Sequence, residues 1–154
     1  MSTGSHDFTD VASSPALRWG ERLLMVVGAC GLLLGFGLAA CLEPDHRGYG
    51  THQQLGLPPC SFRMLLNLPC PSCGGTTCFA LFVRGRWWQA LSANAATFVL
   101  ACVCASLIPW LLTCAWRGRL WGVRRLVPSM SVLLVALTAV AMANWCVRLV
   151  LVIL

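Results

Sequence analysis

Three stretches without a charged side chain constrain this chain more than any other feature: Leu23–Leu42, Trp87–Trp116 and Leu126–Val147, of 20, 30 and 22 residues. A helix rises 1.5 Å per residue, so about 20 apolar residues cover the ~30 Å hydrocarbon core of a bilayer. All three stretches meet that length. Composition agrees: 58% of residues are apolar, 10% are charged and the mean hydropathy is +0.75, against ~45–50% apolar and ~25% charged in a soluble domain. The expected fold is an all-α integral membrane protein with three transmembrane helices, at about 23–42, 95–116 and 128–148. A Cys-rich loop over 43–94, built of short interfacial or re-entrant helices, separates the first two. A polar, Ser- and Thr-rich tail over 1–17 reads as disordered, which leaves 18–154 as a single membrane domain.

Smaller features fit this partition. All seven tryptophans (Trp19, Trp87, Trp88, Trp110, Trp116, Trp121 and Trp145) fall near a span end, where an apolar ring with one N–H prefers the water–lipid boundary. Arg148 is expected to snorkel to the far headgroups, Pro109 to kink the second span, and Pro128 to sit in a first helical turn. Gly31/Gly35, Ala101/Ala105 and Ala139/Ala143 offer one small-residue pair per span for close intramolecular packing, and Asn144 is expected to bond a neighbouring helix. Leu38-Ala39-Ala40-Cys41 has the form of a bacterial lipobox. The apolar run before it is longer than the ~7–15 residue core of a secretory signal, so a retained helix is expected.

Arginines near the span ends indicate direction. Arg18 and Arg22 precede the first span and only Arg47 follows closely. Arg84 and Arg86 precede the second, and Arg117, Arg119, Arg124 and Arg125 follow it. Positive loops stay in the cytoplasm, so the N-terminus is expected inside, and the 43–86 loop and the C-terminus outside, across a bacterial inner membrane. Arg84 and Arg86 beside Trp87 and Trp88 read as an interfacial anchor.

The charges that are missing exclude several chemistries. From His46 to Leu154 there is no Asp or Glu. Paired-carboxylate hydrolysis and glutamate-assisted zinc hydrolysis therefore have no acid there. Nucleic-acid binding is not expected either, because the 11 arginines flank apolar segments instead of forming one basic face.

The chemistry lies in the loop. Cys60, Cys70, Cys73 and Cys78 fall among prolines and glycines, whereas Cys30, Cys41, Cys102, Cys104, Cys114 and Cys146 lie in or beside the spans and read as small packing residues. Ser61–Leu68 has the apolar spacing of a short amphipathic helix that Pro69 should end. Thr76–Val83 reads as a second short helix stopped by Gly85. Between them, Cys70-Pro71-Ser72-Cys73-Gly74 has the form of one zinc knuckle, with two thiolates on a tight turn. A closed zinc site needs four ligands, so Cys60 and Cys78 would complete it, with His46 and His52 as substitutes. The same pair suits thiol–disulfide exchange, although no βαβ pattern accompanies it. Gly74 stands where c-type haem attachment requires His.

These residues resemble a group of small bacterial multi-pass membrane proteins classed only as a domain of unknown function. The shared pattern is a Cys, a short apolar helix, Pro-Cys-Pro-x-Cys-Gly-x-Thr-Arg, an apolar run, a Gly turn and Ala-Leu-x-x-Asn-Pro. This chain supplies Cys60, Pro69, Cys70, Pro71, Cys73, Gly74, Thr76, Gly85, Ala90, Leu91 and Asn94. Thr77 replaces the Arg, Ala95 replaces the final Pro, and Cys78 lies outside the pattern. The resemblance implies a multi-pass membrane protein and no reaction. Three functions follow as expectations. The first is a non-enzymatic membrane component or assembly partner, self-associating or joined to another membrane protein, with the loop held by zinc or a disulfide. The second is a membrane thiol–disulfide oxidoreductase using Cys70 and Cys73. The third is a transporter subunit.

Overall fold

The computed structural model describes residues 16–120 and 126–153. Most of the polar tail, and Trp121, Arg124 and Arg125, lie outside them. The described elements are α1 (Trp19–Cys41), a 3-10 turn (Thr51–Leu55), α2 (Ser61–Leu66), α3 (Gly75–Val83), α4 (Trp87–Ala93), α5 (Ala95–Arg117) and α6 (Leu126–Ile153). α1, α5 and α6 are long and apolar enough to cross a membrane, as the uncharged stretches require. The cysteine-containing loop lies between the first two.

α1 and α5 form the main helix pair. Gly28 approaches Leu111 Cδ1, with 3.7 Å from the position a Cβ would take, and Ala29 and Ala101 are fully buried. Arginines close this pair at both ends. The last carbonyls of a helix have no intrahelical partner, and Arg22 at the start of α1 donates to two of them at the end of α5, Ala115 O at 2.8 Å and Trp116 O at 3.0 Å. Arg84 does the same for α1, donating to Ala40 O at 3.0 Å, and also to Ala80 O at 2.8 Å. Both residues thus serve as helix caps, a role the charge count along the sequence does not show. Beside the α5 end, Leu17 N donates to Gly118 O at 2.8 Å, which ties down the last residue of the polar tail.

Several expectations need correction. α2 stops at Leu66, before Pro69, because Asn67 adopts a left-handed conformation (φ 54°), which Asn tolerates better than most residues. The uncharged stretch from Trp87 to Trp116 is two helices and not one, because Trp87–Ala93 forms the separate helix α4, where Ser92 Oγ donates to Gln89 O. The chain is extended at Asn94 (φ −163°, ψ 105°) and restarts as α5, with Thr97 N donating to Asn94 Oδ1 at 3.1 Å. Ala139 and Ala143 are exposed and do not pack within the chain. Gly31 and Gly35 have nothing within 4 Å of where a Cβ would stand, so they do not make the close helix contact expected of them. α5 runs through Pro109 to Arg117, and α6 continues past Arg148.

Candidate metal and thiol site

The Cys70–Gly74 turn is rich in acceptors and poor in donors, because Pro69 and Pro71 have no N–H while their carbonyls remain. Donors arrive from the long helices. Trp145 Nε1 donates to Pro69 O at 2.8 Å, Asn94 Nδ2 donates to Pro71 O and to Cys73 O at 3.1 Å each, and Arg148 donates to Cys73 O at 2.9 Å. The carbonyl of Cys73 therefore uses both lone pairs. Asn94 is 1% exposed. Besides its two donated bonds, its Oδ1 accepts from Thr97 N and from Asn144 Nδ2 at 3.3 Å, so the amide's capacity is filled. Asn144 does bond a neighbouring helix. Arg148, expected to reach the headgroups, also turns its guanidinium to the loop, where one N–H donates to the Cys73 carbonyl.

Gly74 follows the second cysteine for a steric reason. Its φ is +84°, and a Cβ there would stand 2.6 Å from Ala93 O and 2.7 Å from Gly48 O, both main-chain atoms. Two other backbone segments converge on that one glycine. Nearby, Thr77 is fully buried and its hydroxyl lies 2.8 Å from that of Thr51, which also accepts from Asp45 N. The position where the resembling group carries Arg is thus occupied by a neutral, paired hydroxyl. Thr76 lines the cavity described below.

On this scaffold the thiols of Cys60, Cys70 and Cys73 come together, with all three Sγ atoms within 4.8 Å of one another. Cys60 comes from the residue before α2, and the other two from the clamped turn. All cysteines are free thiols. Tetrahedral zinc, with Zn–S of about 2.3 Å, would set its sulfurs ~3.8 Å apart, so the three fit one such ion after a closure of at most ~1 Å. Among the described residues no fourth Cys, His, Asp or Glu joins the group. Cys78 stands apart: it is fully buried between α3, α4 and α5, and its thiol donates to Asn94 O at 3.6 Å. His52 bonds Pro58 O at 3.2 Å, and His46 lies exposed beside Asp45.

The thiols differ in acidity. The main-chain N–H of Arg63, in the first turn of α2, holds Cys60 below the ordinary thiol range. Burial, with the neighbouring Cys73 and Cys60 thiols adding to it, pushes Cys70 up to about 11. Burial likewise pushes Cys78 up to about 12.

The three cysteines lie on the wall of a cavity of about 770 Å³ that is also lined by Arg47, Tyr49, His52 and Arg63. Arg47 is paired with Asp45 at 2.7 Å. The Arg63 guanidinium stacks 3.5 Å from the Tyr49 ring centroid, and that of Arg47 lies 5.4 Å from it.

The reach of Trp145 and Arg148 from α6 to the cysteine turn is what sequence reasoning missed. Asn144, Trp145 and Arg148 put three hydrogen-bond donors within five residues of a span, with Asn144 and Arg148 one helical turn apart. That spacing was the available signal. A family model described as a protein of unknown function (DUF2752) matches residues 60–108, about a third of the chain. The match starts at Cys60 and covers the cysteine turn, Gly74, Asn94 and the first part of α5. No curated protein and no solved structure matches the chain.

Proposed function

We propose that this chain is a multi-pass membrane protein whose loop binds one soft divalent metal ion, zinc, through Cys60, Cys70 and Cys73, and that the loop so held is a fixed surface for assembly with other membrane components. The observation that carries this reading is the approach of the three Sγ atoms to within 4.8 Å. Thiolates prefer zinc and cuprous copper among biological metals, and a site with three protein ligands keeps one position open. The loop's carbonyls are already held by Trp145, Asn94 and Arg148, so the metal adds rigidity to a turn that is largely preformed.

Metal content and intact mass of the purified protein under non-reducing conditions test this. Wild type is expected to carry near-stoichiometric zinc. Cys60→Ser, Cys70→Ser and Cys73→Ser should each lose it, while Cys78→Ser keeps it. Three alkylatable, metal-free thiols in freshly purified protein would refute the reading.

Thiol–disulfide exchange through Cys70 and Cys73 is the second reading, favoured by the approach of their two Sγ atoms to within 4.8 Å. It predicts a Cys70–Cys73 disulfide in the intact mass and a trapped mixed disulfide when Cys73 is replaced by Ser. The orientation we propose places the N-terminus in the cytoplasm and the loop outside, in a bacterial inner membrane. Reporter fusions after Gly50 and Gly122 check it, and cytoplasmic activity at Gly50 would reverse it.

A further inference from the structure

Two cavities meet at one wall. The larger, beside the cysteines, carries Arg47, Arg63 and His52 and no carboxylate in its lining. The smaller, of about 270 Å³, lies against α1 and is almost wholly apolar, with Gly31, Gly35, Phe36, Leu42 and Cys104 among its walls. Thr76 and Phe79 line both. Gly31 and Gly35 supply the room in the smaller one, since nothing stands within 4 Å of where their Cβ atoms would be. The slot therefore lies along a membrane-spanning helix, and the polar cavity lies at the loop end of the same helix bundle.

Arg63 gives this arrangement its polarity. It is half-buried and stacked on Tyr49. Among the described residues its guanidinium has neither a carboxylate partner nor a hydrogen-bond acceptor. A guanidinium offers five N–H groups in a planar fork that matches a phosphate. Arg47 is paired with Asp45, so the uncompensated positive charge of the cavity sits at Arg63. A cationic chamber above an apolar slot repeats the order of head and tail in a bilayer lipid.

We propose that the two adjacent cavities hold one anionic phospholipid across their shared Thr76–Phe79 rim, with its phosphodiester at the Arg47–Tyr49–Arg63 stack and one acyl chain in the Gly31–Gly35 slot. The contacts invoked are those of the arginine stack and the glycine slot, not the three thiols. The lipid site and the metal site therefore separate experimentally.

The test reconstitutes full-length protein in nanodiscs of 3:1 phosphatidylcholine and phosphatidylglycerol, releases it into mild detergent, and counts retained lipid by native mass spectrometry. Wild type is expected to keep one phosphatidylglycerol. Arg63→Gln should lower that retention by about tenfold or more, the loss expected for a charge-assisted hydrogen bond. Gly35→Leu, which places a side chain in open space and fills the slot, should abolish it, and Gly31→Leu should repeat the effect if the first variant folds poorly. Cys60→Ser should lose metal and retain the lipid. Equal retention of phosphatidylcholine, or retention unchanged in both Arg63→Gln and the glycine variants, overturns the proposal. So does displacement of the lipid by millimolar inorganic phosphate together with undiminished phosphate binding to Gly35→Leu, which would make a soluble phosphate the ligand.

Discussion

The side-chain amide of Asn94 donates to the main-chain carbonyl of Cys73 at 3.1 Å, joining the break between α4 and α5 to the second cysteine of the turn. The same amide holds Pro71 O, caps α5 and accepts from Asn144 on α6. One buried residue therefore links the loop to two of the three long helices. Asn94→Ala strands Pro71 O and uncaps α5. At ~1–3 kcal/mol for each buried group left unsatisfied, a loss of about 2–4 kcal/mol is expected, read as a lower melting midpoint in detergent. Metal content should fall with it. A midpoint unchanged from wild type would show that the amide is not a structural link.

Gly74→Ala is expected to be at least as damaging. The added Cβ would meet Ala93 O and Gly48 O at 2.6 and 2.7 Å, and neither is a flexible side chain that could swing aside. The left-handed φ adds ~1–2 kcal/mol. A total loss of about 3 kcal/mol or more is expected, and expression or thermal stability in detergent checks it. By contrast Gly85→Ala, at φ +71° with nothing within 4 Å, should cost only the backbone term.

Removing the α6 donors should loosen the turn without dismantling the spans. Trp145→Phe retains most of the ring contact with Phe62 and loses the bond to Pro69 O. Arg148→Leu loses the second bond to Cys73 O. Each is expected to cost about 1 kcal/mol and to raise hydrogen exchange over residues 69–75, leaving α1 and α5 protected. Equal exchange in wild type and both variants would exclude α6 as the clamp.

The metal-free thiols should titrate in order. Thiolate is the reactive form, and it accumulates as pH rises through the pKa. Cys60, held below the ordinary range by the Arg63 N–H, is expected to alkylate before Cys70 as pH is raised from neutrality. Cys70, pushed to about 11 by burial, should lag until strongly alkaline pH. Peptide mapping after brief alkylation across a pH series reads this directly. Faster modification of Cys70 than of Cys60 near pH 8 would reverse the assignment.

Arg22→Ala should uncap the end of α5, where it holds Ala115 O and Trp116 O. About 1–2 kcal/mol is expected for two charge-assisted bonds that are partly open to solvent. Arg22→Lys should recover only part, because one ammonium matches two adjacent carbonyls less well than the guanidinium fork. Melting midpoints of the two variants in the same detergent check this, and full recovery by Lys would mean that charge alone suffices.

The sequence by itself determined the three long apolar helices, the two short helices of the loop and the suspicion attached to Cys60, Cys70, Cys73 and Cys78. Those are local properties: a bilayer reads hydrophobic length segment by segment, and Pro, Gly and Asn act on the backbone within a residue or two. Only the tertiary structure decided that Cys78 turns into the core and not toward the other three, that α4 is separate from α5, that Trp145 and Arg148 reach back to a turn about 75 residues earlier in the chain, and that Asn144 takes Asn94 as its partner. A donor at the end of a span satisfies lipid headgroups, water or a distant carbonyl equally well on local grounds. Which partner it takes depends on how α5 and α6 pack, and no window of sequence contains that information.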